Sequence, residues 1–197
     1  MDMVCLDHAY HGNTSTLIDV SPYKFNATGG ASKRDWVDVF PSPDPYRFPE
    51  FSGPGGPATY RALADDVLTD TVPAGLIAEA LPGCAGQIIP PPGLLDAAYD
   101  AVRLRGGLVI ADEVQTGYGR IGTHFYAFEA DNLVPDIVVL GKPIGNGHPV
   151  SAVVTTAEIA EAFDTGMEFF STFGGNPVSC AVGLAVLDVI EQEGLQD

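Results

Sequence analysis

A layered α/β fold built on a mostly parallel sheet, with helices on both faces, is predicted by three observations. Short β-rich runs alternate with helical patterns along the chain. Several of those runs are continuously apolar rather than alternating. No internal repeat interrupts the order. Alternation of this kind implies helices layered on a sheet, and uninterrupted apolar runs suit strands covered on both sides.

The elements follow in order. "MVCL" (3–6), "WVDVF" (36–40), "GLIAEA" (75–80), "GLVIADEV" (107–114), "DIVVLG" (136–141) and "SAVVTT" (151–156) read as strands. Helical spacing marks 58–70, 93–104 and 157–164 between them. The strongest helix is 176–193, "NPVSCAVGLAVLDVIEQE", in which Asn176 can cap and Pro177 suits the first turn. Its Val178, Val182, Leu184, Val186, Leu187 and Ile190 form a wide apolar face. The Pro/Gly-rich stretch 41–57 is a loop and not a domain boundary, because the strand–helix alternation resumes beyond it.

Composition narrows the class. With 46% hydrophobic and 18% charged residues, 23 Gly and 16 Pro, the chain is globular and turn-rich. A net charge of −17 argues against nucleic acid and anionic membranes as partners. Cys5, Cys84 and Cys180 are odd in number and widely spaced, so a reducing compartment is expected. "MDMVCLDHAY" lacks the pattern of a signal peptide, and no window has the uninterrupted apolar length of a membrane span. A soluble, cytoplasmic protein is the expectation.

Ligands of open α/β sheets sit beyond the C-terminal ends of the strands. Two charged residues occupy such ends, Asp112 after "LVIA" and Lys142 after "IVVLG". Their separation, 142 − 112 = 30 residues, is about one strand–helix–strand unit, so they can lie on neighbouring strand ends facing one pocket. Burying both charges is expensive unless they pair with each other or with a ligand. Other readings compete. Lys142 can be a surface lysine at a strand exit, and "VIADE" a strand ending in a solvated acidic turn. A magnesium-dependent phosphate-hydrolysing site would need a G-x-x-x-x-G-K-[ST] loop, whereas "LGKPIGNG" carries its lysine before the glycines. A metal site at His8 and His11 lacks a third ligand.

The joint pattern resembles a known family. "LVIADEVQTGYGR" (108–120), "PDIVVLGKPIGNGHPVSAV" (135–153) and "STFGGNPVSCA" (171–181) are similar to motifs of the class III (ω-amino acid) aminotransferases, fold-type I pyridoxal-phosphate enzymes. "DHAYHGNT" (7–14) and "LIAEALPGCAGQIIPP" (76–91) extend the likeness over nearly the whole chain. The resemblance implies pyridoxal 5'-phosphate as cofactor, with Lys142 as the Schiff-base lysine and proton-moving base. Asp112 would face the pyridine nitrogen, whose protonation makes the ring an electron sink. It further implies that Gln115 bonds the ring hydroxyl, Tyr10 stacks on the ring and its neighbour His11 belongs to the cofactor-binding set. Glu79 would lie near the substrate, and Thr172 would reach the cofactor phosphate of the partner subunit in a homodimer.

By the same resemblance, the chain is part of the fold-type I large, cofactor-binding domain (1–197), incomplete at both ends. The expected absences are an N-terminal segment, the phosphate-binding loop of the same subunit and the small C-terminal domain, so little turnover is expected of this stretch alone. Three functions remain open at this point. The first is an aminotransferase moving an amino group from an amine or ω-amino acid to a keto acid. The second is a phospho-lyase acting on ethanolamine phosphate or a related phospho-amine, a branch that "SPYKF" (21–25) and "PDPYR" (43–47) resemble. The third is an inactive, truncated remnant.

Overall fold

A computed structural model describes residues 1–196. All the strands read from sequence are present: β1 (Asp2–Leu6), β2 (Val37–Phe40), β3 (Pro73–Ala78), β4 (Leu108–Asp112), β5 (Ile137–Leu140) and β6 (Ala152–Thr155). They form one sheet in the order β2-β1-β3-β4-β5-β6. Every neighbouring pair is parallel except β5–β6, which is antiparallel. The chain leaves β1 toward β2 and then crosses back to β3, so strand order reverses beside β1, where open α/β sheets bind ligands.

The helices expected from spacing are α3 (Gly56–Val67), α4 (Leu94–Arg103), α5 (Ala157–Phe163) and α6 (Pro177–Glu193). Two short helices, α1 (Ser15–Asp19) and α2 (Pro22–Phe25), are additional, each too short for helical periodicity to mark. The 41–57 stretch is not wholly loop. It holds a 3-10 turn at Pro49–Phe51, and α3 begins at Gly56. Phe51 is fully buried there against Phe48 and Tyr60, with ring centroids 5.0 and 5.1 Å away. The Tyr60 hydroxyl donates to the Pro41 carbonyl at 2.7 Å, which ties the start of the stretch to α3.

Strand alternation sorts the core into two faces. Val4, Leu6, Leu76, Ala78 and Val109 pack with Tyr60 and Ala64 of α3, with Leu68 just after it and with the buried side of α4. Cys5, Val37 and Ile77 point the other way, onto Leu17 of α1 and Val20 just after it. Burial pushes the Cys5 thiol up to about 12, with Asp7 adding to the effect, so this cysteine packs as a small apolar residue.

The β5–β6 end differs from expectation. Val153 and Val154 are 66% and 53% exposed, and no residue of α6 is fully buried. Asn176 caps α6 as read, accepting from the Ser179 N–H at 3.0 Å, but Val178 and Leu184 face outward. The helix is apolar around much of its circumference, and among the described residues it packs mainly on the turn that follows β5, which covers one side only.

The turn after β4 also departs from the solvated acidic reading. Glu113 is fully buried and accepts from the Thr116 hydroxyl at 2.7 Å and from the backbone N–H groups of Ala127 and Phe128 at 3.1 and 3.0 Å. These bonds clamp the 3-10 turn Ala127–Asp131 onto the end of β4. Glu113→Ala is expected to destabilise the fold by about 2–3 kcal/mol, because two backbone donors lose their acceptor. Thr116→Ala removes one donor and should cost about 1 kcal/mol. Urea denaturation of the two variants checks the ranking.

Candidate active site

Parallel pairing puts the exits of β1, β3, β4 and β5 on one edge of the sheet. Ala78 pairs with Ala111, so Glu79 and Asp112 each stand one residue further along adjacent strands. Asp112 pairs with Val139, and Lys142 follows two residues after β5 ends. His11 and Tyr10 come from the loop beyond β1.

Asp112 is 6% exposed and fixed through both oxygens. Oδ2 lies 2.8 Å from His11 Nδ1, and Oδ1 accepts from the Val114 N–H at 3.1 Å. His11 therefore compensates the buried carboxylate, the role that Lys142 or a ligand was expected to fill. The backbone that carries the ring is held in turn, since the His11 backbone N–H donates to Ser21 Oγ at 2.9 Å and Ser21 Oγ donates to the Leu17 carbonyl. His8 diverges from His11: it is exposed and bonds Asp7 at 3.0 Å, so the two histidines do not converge on one ion.

Glu79 is 3% exposed, with Oε2 accepting from the Gly83 N–H at 3.1 Å. Burial raises its carboxyl above the ordinary value of 4.5. Asp112 pushes the same way, while the Gly83 bond, His11 and Lys142 oppose the shift. Register sets this carboxyl beside Asp112 and its His11 partner on adjacent strand ends. Gln115 borders it: a Cβ at Gly83 would lie 2.7 Å from Gln115 Nε2 and 3.3 Å from Glu79 Oε2, so a glycine there leaves room for both side chains.

Lys142 is exposed and opens the 3-10 turn Lys142–Gly145 with φ of 25°, a conformation that residues other than glycine rarely adopt. Strain of this kind persists where surrounding structure imposes it, here between buried Gly141 and buried Pro143. Its side chain lines two clefts, of about 490 and 500 Å³. Tyr10 is half-buried, edge-on to Tyr23 at 5.7 Å, with Lys24 Nζ 5.4 Å over its ring. Thr172 is not brought to the cluster. It is exposed in the stretch before α6, whereas its neighbour Phe173 lines the 490 Å³ cleft.

Arg120, the last residue of the "LVIADEVQTGYGR" motif, has no role implied by the resemblance. Arg120 lines the 500 Å³ cleft with Lys142. A signal was available, since a cation closes the "LVIADEVQTGYGR" motif of a strongly acidic chain.

The residue set fits pyridoxal phosphate chemically. It offers an amine for an aldehyde, a buried carboxylate for a ring nitrogen, an amide for a phenolic oxygen and an aromatic ring. His11 Nε2 and Glu79 Oε1 are buried without a partner among the described residues, as polar atoms facing a site can be.

The sheet, its strand order and the edge on which these residues gather define a fold-type I α/β domain of the pyridoxal-phosphate enzymes. The chain belongs to the class III aminotransferase family, pyridoxal-phosphate-dependent enzymes whose profile matches residues 1–197. It is 52% identical to the alanine–glyoxylate aminotransferase 2-like protein of Drosophila melanogaster, over 99% of this chain and 42% of that one. It is 43% identical to ethanolamine-phosphate phospho-lyase homolog 1 of Caenorhabditis elegans, over 98% and 45%. Among solved structures, an Arthrobacter phospholyase in complex with phosphoethanolamine superposes with a TM-score of 0.89 at 36% identity, over 99% of this chain and 47% of that one. The chain thus spans under half the length of these relatives. Relatives from Arabidopsis thaliana and Homo sapiens are named mitochondrial. Among the described residues no helix is long and apolar enough to cross a membrane.

A raised Glu79 makes stability pH-dependent with a definite sign. A carboxyl whose folded value lies above its unfolded value binds more protons folded than unfolded. Its contribution is therefore present below about 4.5 and is lost as pH rises through the folded value. Glu79→Gln, which carries no charge at any pH, should gain stability relative to the parent chain between about pH 4 and pH 7. Urea midpoints at both pH values check this, and parallel pH profiles would contradict it.

Proposed function

We propose that this chain carries the central active-site residues of a class III aminotransferase, which moves an amino group from an amine or ω-amino acid to a keto acid. The observation that carries the reading is the fixed Asp112 carboxylate at the end of β4, beside the strand whose next turn presents Lys142. Pyridoxal phosphate, when bound, supplies the electron sink for deprotonation at carbon. Lys142 would hold its aldehyde covalently and, once free, move protons. Asp112 would face the ring nitrogen, Gln115 the phenolic oxygen and Tyr10 the ring face. His11 reaches the cofactor through Asp112 and not by direct contact. Glu79, close to Lys142 and protonated more readily than an exposed carboxyl, borders the substrate side.

A second reading, elimination of phosphate from ethanolamine phosphate or a related phospho-amine, is favoured by the likeness to the Arthrobacter phospholyase and the Caenorhabditis homolog. The two reactions share every residue named above and differ in the groups that hold the far end of the substrate. Both assign the whole protein a homodimeric state, with Thr172 serving the partner's cofactor phosphate. The exposed Phe169, Phe170 and Phe173 around Thr172 support an interface there. Three free cysteines support a reducing compartment, a condition the cytoplasm meets and the one we propose.

Borohydride reduction of the cofactor-loaded full-length protein, followed by peptide mapping, should place the pyridoxyl group on Lys142. A label on Lys24 or Lys33 overturns the reading. Asp112→Asn should retain the cofactor aldehyde and slow turnover on the order of 100-fold or more, since a neutral amide no longer favours a protonated ring. Supplying ethanolamine phosphate and, separately, an amine with pyruvate decides the reaction. Phosphate release without keto-acid consumption selects the lyase.

A further inference from the structure

We propose that His148 is a positioning residue for Lys142: its hydrogen bond to Ser179 pins the turn that carries the amine to the first turn of α6. The proposal rests on the reading of Lys142 as the active-site amine.

The turn needs support from outside. Between β5 and β6 the backbone takes positive φ at Lys142 (25°), Asn146 (42°) and Gly147 (100°), and only the last of these is a glycine. Residues with a side chain stay in that region where neighbouring structure imposes it. Backbone bonds close the turn on itself: Ile144 N–H donates to the Gly141 carbonyl at 3.0 Å, Asn146 N–H to Pro143 at 3.1 Å and His148 N–H to Gly145 at 2.9 Å. They set the curl of the segment but not its place in the fold. Among the described residues, one side-chain hydrogen bond joins residues 141–150 to another element, between His148 Nε2 and Ser179 Oγ at 2.9 Å.

Helix α6 offers a fixed anchor. Ser179 and Gly183 are four residues apart and so share one face of it. Ser179 meets His148, and a Cβ at Gly183 would lie 3.9 Å from the Ile144 carbonyl oxygen, so the helix meets the turn at two points. Ser179 is itself held by the helix cap. Its N–H donates to Asn176 Oδ1 and its Oγ accepts from Asn176 Nδ2, both at 3.0 Å, while Nδ2 also donates to the Phe173 carbonyl at 2.8 Å. With Oγ already accepting from the amide, its hydroxyl proton is left to give to His148 Nε2. A chain of bonds thus runs from the stretch before α6, through the cap, to the far end of the Lys142 turn.

Placement connects this tie to the chemistry. Lys142 shares one cleft, of about 490 Å³, with Asn176 and Ser179, and another, of about 500 Å³, with His148. An exposed amine on a flexible stem reacts at a rate that depends on how well its backbone is placed against the reacting atom. Fixing the turn at His148 fixes that origin.

The test supplies pyridoxal phosphate to the cofactor-free, full-length protein and follows growth of the visible absorbance band. Ser179→Ala and His148→Ala should each slow it about fivefold or more, the effect of losing one neutral hydrogen bond. His148→Gln, which can still reach Ser179, should regain much of the rate. The double variant should be no slower than the slower single one, because either change breaks the same bond. In the loaded enzyme kcat should fall in step, with KM less changed. Band growth and kcat at the parent's values in folded variants overturn the proposal, even where the urea midpoint falls, since His148 would then be merely structural. Should His148→Ala fail to fold, Ser179→Ala, which removes only a hydroxyl oxygen, decides alone. Borohydride labelling keeps the outcomes separate. A parent labelled at Lys142 alongside unaltered variants overturns the His148 assignment alone. Failure of the parent to label at Lys142 overturns the reading beneath it, and this assignment with it.

Discussion

Parallel strand pairing is the constraint on which the rest of the structure depends. In a parallel sheet every strand ends on the same edge, so residues far apart in sequence meet without a long-range loop to carry them. Here that edge collects His11 after β1, Glu79 after β3, Asp112 at the end of β4 and Lys142 after β5. The antiparallel β6 returns on the far side of β5 and adds no exit to that edge. Two apolar faces hold the register: a one-residue slip would turn Leu76 and Ala78 away from α3 and α4 and would scatter the site at the same time.

Electrostatics then decides how the gathered groups behave. Asp112 is buried at a cost that its bonds to His11 and the Val114 amide offset, leaving a carboxylate of fixed orientation. Glu79 receives one backbone donor and stays partly uncompensated, which is why its carboxyl is harder to ionise. Carboxyls on adjacent strand ends thus have unequal partners: Asp112 is held through both oxygens and Glu79 through one. Lys142 remains outside this buried set, exposed on a strained turn and without a carboxylate partner among the described residues, which suits the nucleophilic role proposed for it.

Much of this was legible in the sequence, and the gaps have physical reasons. Apolar runs located all the strands, and at β1, β3 and β4 burial of successive residues explains the uninterrupted signal. Asn176 and Pro177 marked the start of α6 because capping is local chemistry. The short helices α1 and α2 escaped, being too brief for periodicity. The burial of α6 was overestimated, since its all-round apolar surface says that it seeks partners and not which side finds them. That Asp112 and Lys142 follow neighbouring strands was readable from spacing, but the partner of Asp112 was not: His11 is 101 residues away in sequence, and only the fold unites them. Glu113 looked solvated because its acceptors' donors, the amides of Ala127 and Phe128, belong to a turn that no pattern announces. Arg120 carried no role because only the fold brings it to the cleft that Lys142 lines.

The central claim is that Lys142 is the amine on which the cofactor depends, with the surrounding edge built to receive it. Mixing the full-length protein with pyridoxal phosphate and recording its visible absorbance tests this most directly. The account predicts a new absorbance band that is lost in Lys142→Ala while the fold persists by circular dichroism. An unchanged band in that variant would contradict it.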